Sequence, residues 1–196
     1  MGLLFLGIMG LVLLLVYDLA SLKKVKKRYV LAAGGYLTHA LAIFLALFRD
    51  RNLLLPEWTA WPGAVLALAG LWWLCYCLFL FPPIKRTYTE PKNMVLTDDG
   101  PYSLTRHPGF FGYTALITGL VFLSGSSYLL KAGFLWTLLD LLHIFIQDKL
   151  IFPMLFSEYK EYRQKTPMIF PNRKSLRRFL QTTTFSRVLP KAYRGG

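Results

Sequence analysis

The chain has 196 residues, 55% of them hydrophobic, and 23 Lys and Arg against ten Asp and Glu give a formal charge of +13. So oily a composition excludes an ordinary soluble domain, and the cations flank apolar runs rather than forming one basic face, which argues against nucleic acid as the partner. Two cysteines, Cys75 and Cys77, lie inside one apolar run, with neither a disulfide framework nor a zinc spacing.

Five apolar stretches approach the roughly 20 residues that a helix needs to cross a bilayer. The first, at about residues 2–20, ends on Lys23, Lys24, Lys26, Lys27 and Arg28. Its basic residues follow the apolar run instead of preceding it, so it reads as a span and not as a cleaved signal peptide. The second covers about residues 30–48 and contains His39 after Gly34-Gly35-Tyr36, a setting for an interhelical hydrogen bond. The third, at about residues 63–81, closes on Pro82-Pro83, and Trp58, Trp61, Trp72 and Trp73 in and before it read as interface or packing aromatics. About 25 polar residues separate it from the fourth span, at about 110–123, which ends at the turn Ser124-Gly125-Ser126-Ser127. The fifth, at about 133–152, is less apolar because it carries Asp140, His143, Gln147 and Asp148. The expected fold is all-α and polytopic, with about five transmembrane spans. Residues 1–171 form the membrane-embedded domain, its motif-bearing core at 96–171. Residues 172–196 form a basic cytoplasmic or interfacial tail, with Arg173, Lys174, Arg177 and Arg178 beside Leu176, Phe179 and Leu180.

Charge orients these spans. Twenty of the 23 Lys and Arg fall between spans one and two, between three and four, or after five; only Arg49, Arg51 and Lys131 fall on the other side. The positive-inside rule makes the basic face cytoplasmic, which puts the N-terminus out and the C-terminus in, with anionic lipid headgroups as partners of the cations. No internal repeat or low-complexity tract is present.

The chemistry-bearing residues form two polar clusters. One is Gly100-Pro101-Tyr102-Ser103-Leu104-Thr105-Arg106-His107-Pro108, just before the fourth span. The other begins at Gln147-Asp148 and continues through Glu158-Tyr159-Lys160-Glu161-Tyr162. Ionisable groups at the lip of a hydrocarbon slab mark pathways or sites. Spans four and five form an antiparallel hairpin, so Arg106 and His107 are expected beside Gln147 and Asp148 despite some 40 intervening residues. At about 100° per residue, Asp140, His143 and Gln147 share one stripe of the fifth helix and Asp148 lies on its shoulder. Asp140 and His143 are expected to satisfy one another at i, i+3.

Gly100-Pro101-Tyr102 with Arg106-His107-Pro108-Gly109-Phe110-Phe111-Gly112 resembles the "G-P-Y … R-H-P-x-Y-x-G" signature of integral-membrane methyltransferases. That group includes the isoprenylcysteine carboxyl methyltransferases and the phospholipid N-methyltransferases. Its second signature is similar to Gln147-Asp148, Ile151, Leu155-Phe156, Glu158-Tyr159, Tyr162 and the ending from Pro167 to Pro171. The resemblance spans residues 96–171, about 40% of the chain. Three positions depart from it: Gln147 stands where an acidic residue is usual, Phe110 replaces a tyrosine and Phe156 a glycine.

The resemblance implies S-adenosylmethionine as methyl donor, bound without a Rossmann domain, and no glycine-rich dinucleotide loop is present. Its ribose or ammonium group wants a carboxylate, for which Asp148 and Glu158 are candidates. Its carboxylate wants cationic or N–H donors, for which Arg106, His107 and the amides opening the fourth span are candidates. Tyr102, Phe110 and Tyr113 are candidates to pack on adenine or shield the sulfonium, and Gly100 and Gln147 complete the expected cofactor-binding set. Arg106 is expected to position an anionic group and Asp148 to belong to the polar shell of donor or acceptor; no general base is assigned. The expected acceptor is a membrane lipid or lipidated molecule, with either an isoprenylcysteine-like carboxylate or a phospholipid amine. Three alternatives stand beside this reading. Membrane sterol reductases that use NADPH carry a similar "R-H-P-x-Y-x-G" element, although their second motif is absent here. A non-catalytic cofactor- or lipid-binding membrane protein is the second, and methylation of a small thiol or another soluble acceptor is the third.

Overall fold

The computed structural model describes residues 1–81 and 96–185, with the side chains of 183–185 excepted. The described residues are helical, with no strand among them. Uninterrupted apolar sequence explains this, because a backbone surrounded by hydrocarbon must satisfy its N–H and C=O groups within its own segment. Helix α1 is Gly2–Leu22 and α2 is Tyr29–Leu47. A short 3-10 turn, Glu57–Thr59, leads into α3 (Ala60–Cys75), which a widened π turn extends over Tyr76–Leu80. The short α4 (Pro101–Leu104) precedes α5 (Gly109–Ser124). Helix α6 (Ser127–Ile146) passes through a second π turn, Gln147–Ile151, into α7 (Phe152–Leu155). Two more helices, α8 (Tyr159–Lys165) and α9 (Arg173–Phe185), follow.

Four of these rods, Gly2–Leu22, Tyr29–Leu47, Glu57–Leu80 and Ser127–Leu155, are long and apolar enough to cross a membrane, and α5 is a shorter apolar helix. The distribution of polarity supports a membrane-embedded protein. Large apolar side chains such as Leu37, Val65, Leu68 and Phe134 point outward, while Asp18, Arg106, His143 and Asp148 are buried. A protein surrounded by lipid gains nothing from hiding apolar groups, so close packing and internal polar contacts hold its helices together.

Glycines make that packing possible between α3 and α5. A Cβ on Gly119 would come within 2.3 Å of the Ala67 nitrogen, and one on Gly70 within 2.5 Å of the Leu116 nitrogen. Gly63 and Gly112 meet the facing backbone in the same way, so the two helices touch along most of α5. On the other side α1 pairs with α2, and α6 runs between the pairs. Trp136 of α6 is fully buried, donates from Nε1 to the Leu4 carbonyl at 3.2 Å, and lies edge-on to His39. His39 bridges helices as expected, with Nδ1 2.9 Å from the Gly7 carbonyl and Nε2 2.9 Å from the Tyr113 hydroxyl.

The last long helix begins at Ser127, six residues before the boundary that the apolar pattern suggests. Asp50 provides the reason, since its carboxylate accepts from the Ser127 N–H at 2.8 Å and from the Tyr128 N–H at 3.2 Å. Ser126 Oγ accepts from the Leu129 N–H at 3.1 Å. These acceptors satisfy the first-turn amides and let the helix start in polar sequence. At the far end of the chain, α9 is an amphipathic helix docked on α4, and residues 186–196 of the expected tail lie outside the described residues.

Candidate functional site

Helix α4 and the turn after it hold the first polar cluster. Gly100 adopts φ 53°, and a Cβ there would fall 2.3 Å from the Phe81 ring, so both conformation and space demand glycine. Its N–H donates to Thr182 Oγ1 of α9 at 3.0 Å. The Tyr102 hydroxyl donates to the Cys77 carbonyl, inside the π turn of α3, at 2.8 Å. Thr105 is extended, and the chain beyond it runs beside residues 167–168: Arg106 N–H donates to the Pro167 carbonyl at 2.9 Å and His107 N–H to the Met168 carbonyl at 3.3 Å. The Tyr162 hydroxyl closes the assembly by donating to the Tyr102 carbonyl at 2.6 Å. Both sequence clusters are therefore one folded unit.

At its centre lies a buried ion pair. Arg106 donates from Nε to Asp148 Oδ1 at 2.6 Å and from Nη2 to Oδ2 at 3.0 Å, while Nη1 donates to the carbonyls of Thr166 and Arg163. Tyr159 donates its hydroxyl to Asp148 Oδ1 at 2.6 Å, and Arg163 Nε stands 4.0 Å from Oδ2. Asp148 is fully buried, enclosed by these donors. Burial and the adjacent Asp148 carboxylate push the Tyr159 phenol well above its ordinary range, so it remains a donor. The π turn places Asp148 here: a turn one residue wider than α-helical rotates the shoulder position inward, where it faces Arg106.

His107 is held differently. Its ring stacks on Phe152 at 5.7 Å, and its Nε2 lies 3.7 Å from Asp148 Oδ1, too far for a hydrogen bond. That nitrogen is buried and has no hydrogen-bond partner among the described residues. Burial lowers the His107 pKa, so the ring is neutral near pH 7.

Beside this unit a cavity of about 430 Å³ reaches between α1, α2, α3, α5 and α6. Its walls are mostly apolar, with Tyr17, Asp18, His39, Tyr113, Asp140, His143 and Gln147 as polar interruptions. Of the residues expected at the site, Tyr102, Arg106, His107, Phe110, Tyr113 and Gln147 line it. Three do not. Gly100 faces Phe81 and α9, and Asp148 stands behind Arg106 with no exposed surface. Glu158 is exposed, outside the cavity, and its backbone carbonyl accepts from the Tyr162 N–H at the start of α8.

The expected Asp140–His143 pairing gives way to another. His143 Nε2 lies 2.6 Å from Oδ2 of Asp18 on α1, and Gln147 Nε2 donates to the same oxygen at 2.8 Å. Asp18 had no sequence signal beyond being a lone acid inside the first apolar run. It places a carboxylate against Gln147. The cavity thus has a guanidinium, Arg106, on one part of its lining and two carboxyl groups, Asp18 and Asp140, on another. No family model, curated protein or solved structure matches the chain.

Proposed function

We propose that this chain is a membrane methyltransferase that uses S-adenosylmethionine and a lipidic or amphipathic acceptor. The observation that carries this reading is the convergence of the two signatures: Arg106 and Asp148, 42 residues apart, form a bidentate buried pair at the wall of a cavity large enough for a nucleoside-sized ligand.

The residues present fit such a ligand. His107 Nε2 is a buried polar atom beside the cavity with no hydrogen-bond partner among the described residues, a group whose desolvation is offset once something bonds to it. Tyr102, Phe110 and Tyr113 offer aromatic surface for a purine or a sulfonium. When bound, S-adenosylmethionine supplies an electrophilic methyl group on a positively charged sulfur. The protein's own part is positioning and exclusion of water, and effective-molarity effects of this kind reach about 7–11 kcal/mol. Arg106 has four of its N–H bonds engaged within the fold, so it acts by fixing Asp148, residues 166–168 and the neighbouring His107. His107 is then the residue that touches the ligand. The acceptor reaches the cavity from the bilayer, the donor from the face where twenty cations cluster, and that face is cytoplasmic.

Calorimetric titration of the purified protein with S-adenosylmethionine tests this. Binding is expected, weakened at least tenfold by His107→Ala, with the variant still folded. No binding to the wild-type protein, or binding indifferent to His107→Ala, overturns the proposal. Incubating the protein with labelled donor and total membrane lipid then identifies the product class.

A further inference from the structure

Helix α9 has a docked edge and an open one. On the docked edge Arg178 Nη1 donates to Thr166 Oγ1 at 3.0 Å and to the Lys165 carbonyl at 3.2 Å, Thr182 Oγ1 accepts from the Gly100 N–H, and the Phe179 ring lies edge-on to Trp73 at 6.4 Å. On the open edge Leu176 and Leu180 are 50% and 60% exposed, and at about 100° per residue Arg173 and Arg177 form the strip beside them. Arg173, Lys174 and Arg177 are exposed and make no ion pair among the described residues. An apolar strip alongside a cationic one suits a helix lying at a bilayer surface, its leucines among acyl chains and its cations at the phosphates. Against this helix runs a shallow apolar groove of about 540 Å³ between α3 and α5, lined by Trp72, Trp73, Phe111 and Pro171, with space left by the missing side chains of Gly70 and Gly112. It reaches Pro171, two residues before Arg173, so an acyl chain in the groove brings its phosphate to the cations. From these observations we infer that α9 and this groove bind an anionic phospholipid, and that the bound lipid steadies the turn carrying Arg106 and His107. The consequence for the donor site rests on the methyltransferase reading; the lipid site does not.

Two connections carry the effect inward. Arg178 holds Thr166, whose carbonyl accepts from Arg106 Nη1, and the next two carbonyls, Pro167 and Met168, accept from the Arg106 and His107 N–H groups. Trp73, in the wall of the groove, donates from Nε1 to the Pro108 carbonyl at 2.9 Å, one residue past His107. The turn is therefore flanked by α9 on one side and by the groove on the other. Helix α9 joins the fold through a few polar bonds and the Phe179–Trp73 contact, which puts its docking at the low end of local stability. A ligand that binds only the docked arrangement shifts that equilibrium toward it, and the Arg106–His107 turn is ordered as a result.

Reconstitution into nanodiscs of phosphatidylcholine, alone or mixed equally with phosphatidylglycerol, tests the inference without any methyl donor. In the mixed discs one lipid at a time carries brominated chains, which quench tryptophan on contact. Brominated phosphatidylglycerol is expected to quench more than brominated phosphatidylcholine. Trp72→Phe should reduce that excess, and the joint change Arg173→Gln, Lys174→Gln and Arg177→Gln should abolish it, each cation contributing roughly fivefold to the preference. High salt applied to the wild-type protein should weaken the same excess, with no substitution involved. Phosphatidylglycerol should also slow hydrogen exchange at the amides of Gly100, Arg106 and His107 in the wild type and not in the triple variant. Equal quenching by the two lipids, an excess that survives the triple change, or turn amides indifferent to phosphatidylglycerol overturns the inference. So does shielding of Trp72 from both lipids, which would mean that a second copy of the chain covers the groove. Failure of S-adenosylmethionine to bind in either disc overturns the methyltransferase reading instead, so the two failures are separable.

Discussion

Replacing Asp148 with alanine removes one carboxylate and strands three donors. Arg106 Nε and Nη2 and the Tyr159 hydroxyl lose partners at 2.6, 3.0 and 2.6 Å. Arg106 keeps its bonds from Nη1 to the Thr166 and Arg163 carbonyls but remains a buried cation without its counter-charge. Breaking a buried pair by deleting one partner costs about 3–5 kcal/mol, most of it the penalty of the orphaned charge. For a chain of this size that corresponds to a fall in Tm of roughly 6–20 °C. Asp148→Asn, which retains one acceptor oxygen, should cost less, about 2 kcal/mol. The informative variant is the double substitution Arg106→Met with Asp148→Leu. Without charge on either side the orphan penalty vanishes, so the double change should be less destabilising than the sum of Arg106→Met and Asp148→Leu by about 2–3 kcal/mol. Thermal unfolding in detergent micelles, monitored by tryptophan fluorescence, measures the wild type and all five variants. Additivity of the two single changes, or an Asp148→Ala protein within 0.5 kcal/mol of wild type, would show that the pair does not hold the two clusters together.

Other consequences are equally accessible. Gly119→Ala places a methyl group 2.3 Å from the Ala67 nitrogen, where only a separation of α3 from α5 can admit it; a loss of about 1–3 kcal/mol is expected in the same unfolding assay. His107 has a lowered pKa in the folded protein, so the unfolded chain takes up its proton first as the solution is acidified. Its contribution to stability is therefore complete above about pH 6.5 and is lost as pH falls toward the folded value, a decline in Tm that His107→Asn should flatten. Asp50→Ala deprives the first turn of α6 of its acceptor and should lower stability by about 0.5–2 kcal/mol, with faster hydrogen exchange confined to the amides of Ser127 and Tyr128. Thr182→Val removes the acceptor for the Gly100 N–H and the contact to Ser103, and α9 should then become accessible to limited proteolysis while the membrane-embedded helices stay protected.

The helices were legible in the sequence because their cause is local. In hydrocarbon, a run of some twenty apolar residues can satisfy its backbone only within itself. Boundaries failed where the cause was remote: the start of α6 depends on Asp50, 77 residues before Ser127. The neighbourhood of Arg106 and Asp148 followed from the hairpin of the last two spans, since a short turn leaves the opposite ends of two antiparallel helices adjacent. Their engagement with each other did not, because it depends on the π turn that rotates Asp148 inward and on Tyr159, which bonds the same carboxylate. The close approach of α3 and α5 was hidden for a similar reason. Gly63, Gly70, Gly112 and Gly119 become a contact surface only when two particular helices are known to face one another.

Asp18 marks the boundary between the two kinds of information. By itself the sequence establishes an apolar α-helical chain and two polar clusters, at residues 100–108 and 147–162, beside its apolar runs. Tertiary structure alone decides that α1 crosses α6 at the level where Asp18 meets His143 and Gln147. Apolar helix faces are nearly interchangeable as neighbours in lipid, so their order around a cavity is selected by glycine-sized gaps and by a few buried polar bonds, and those arise only between whole helices.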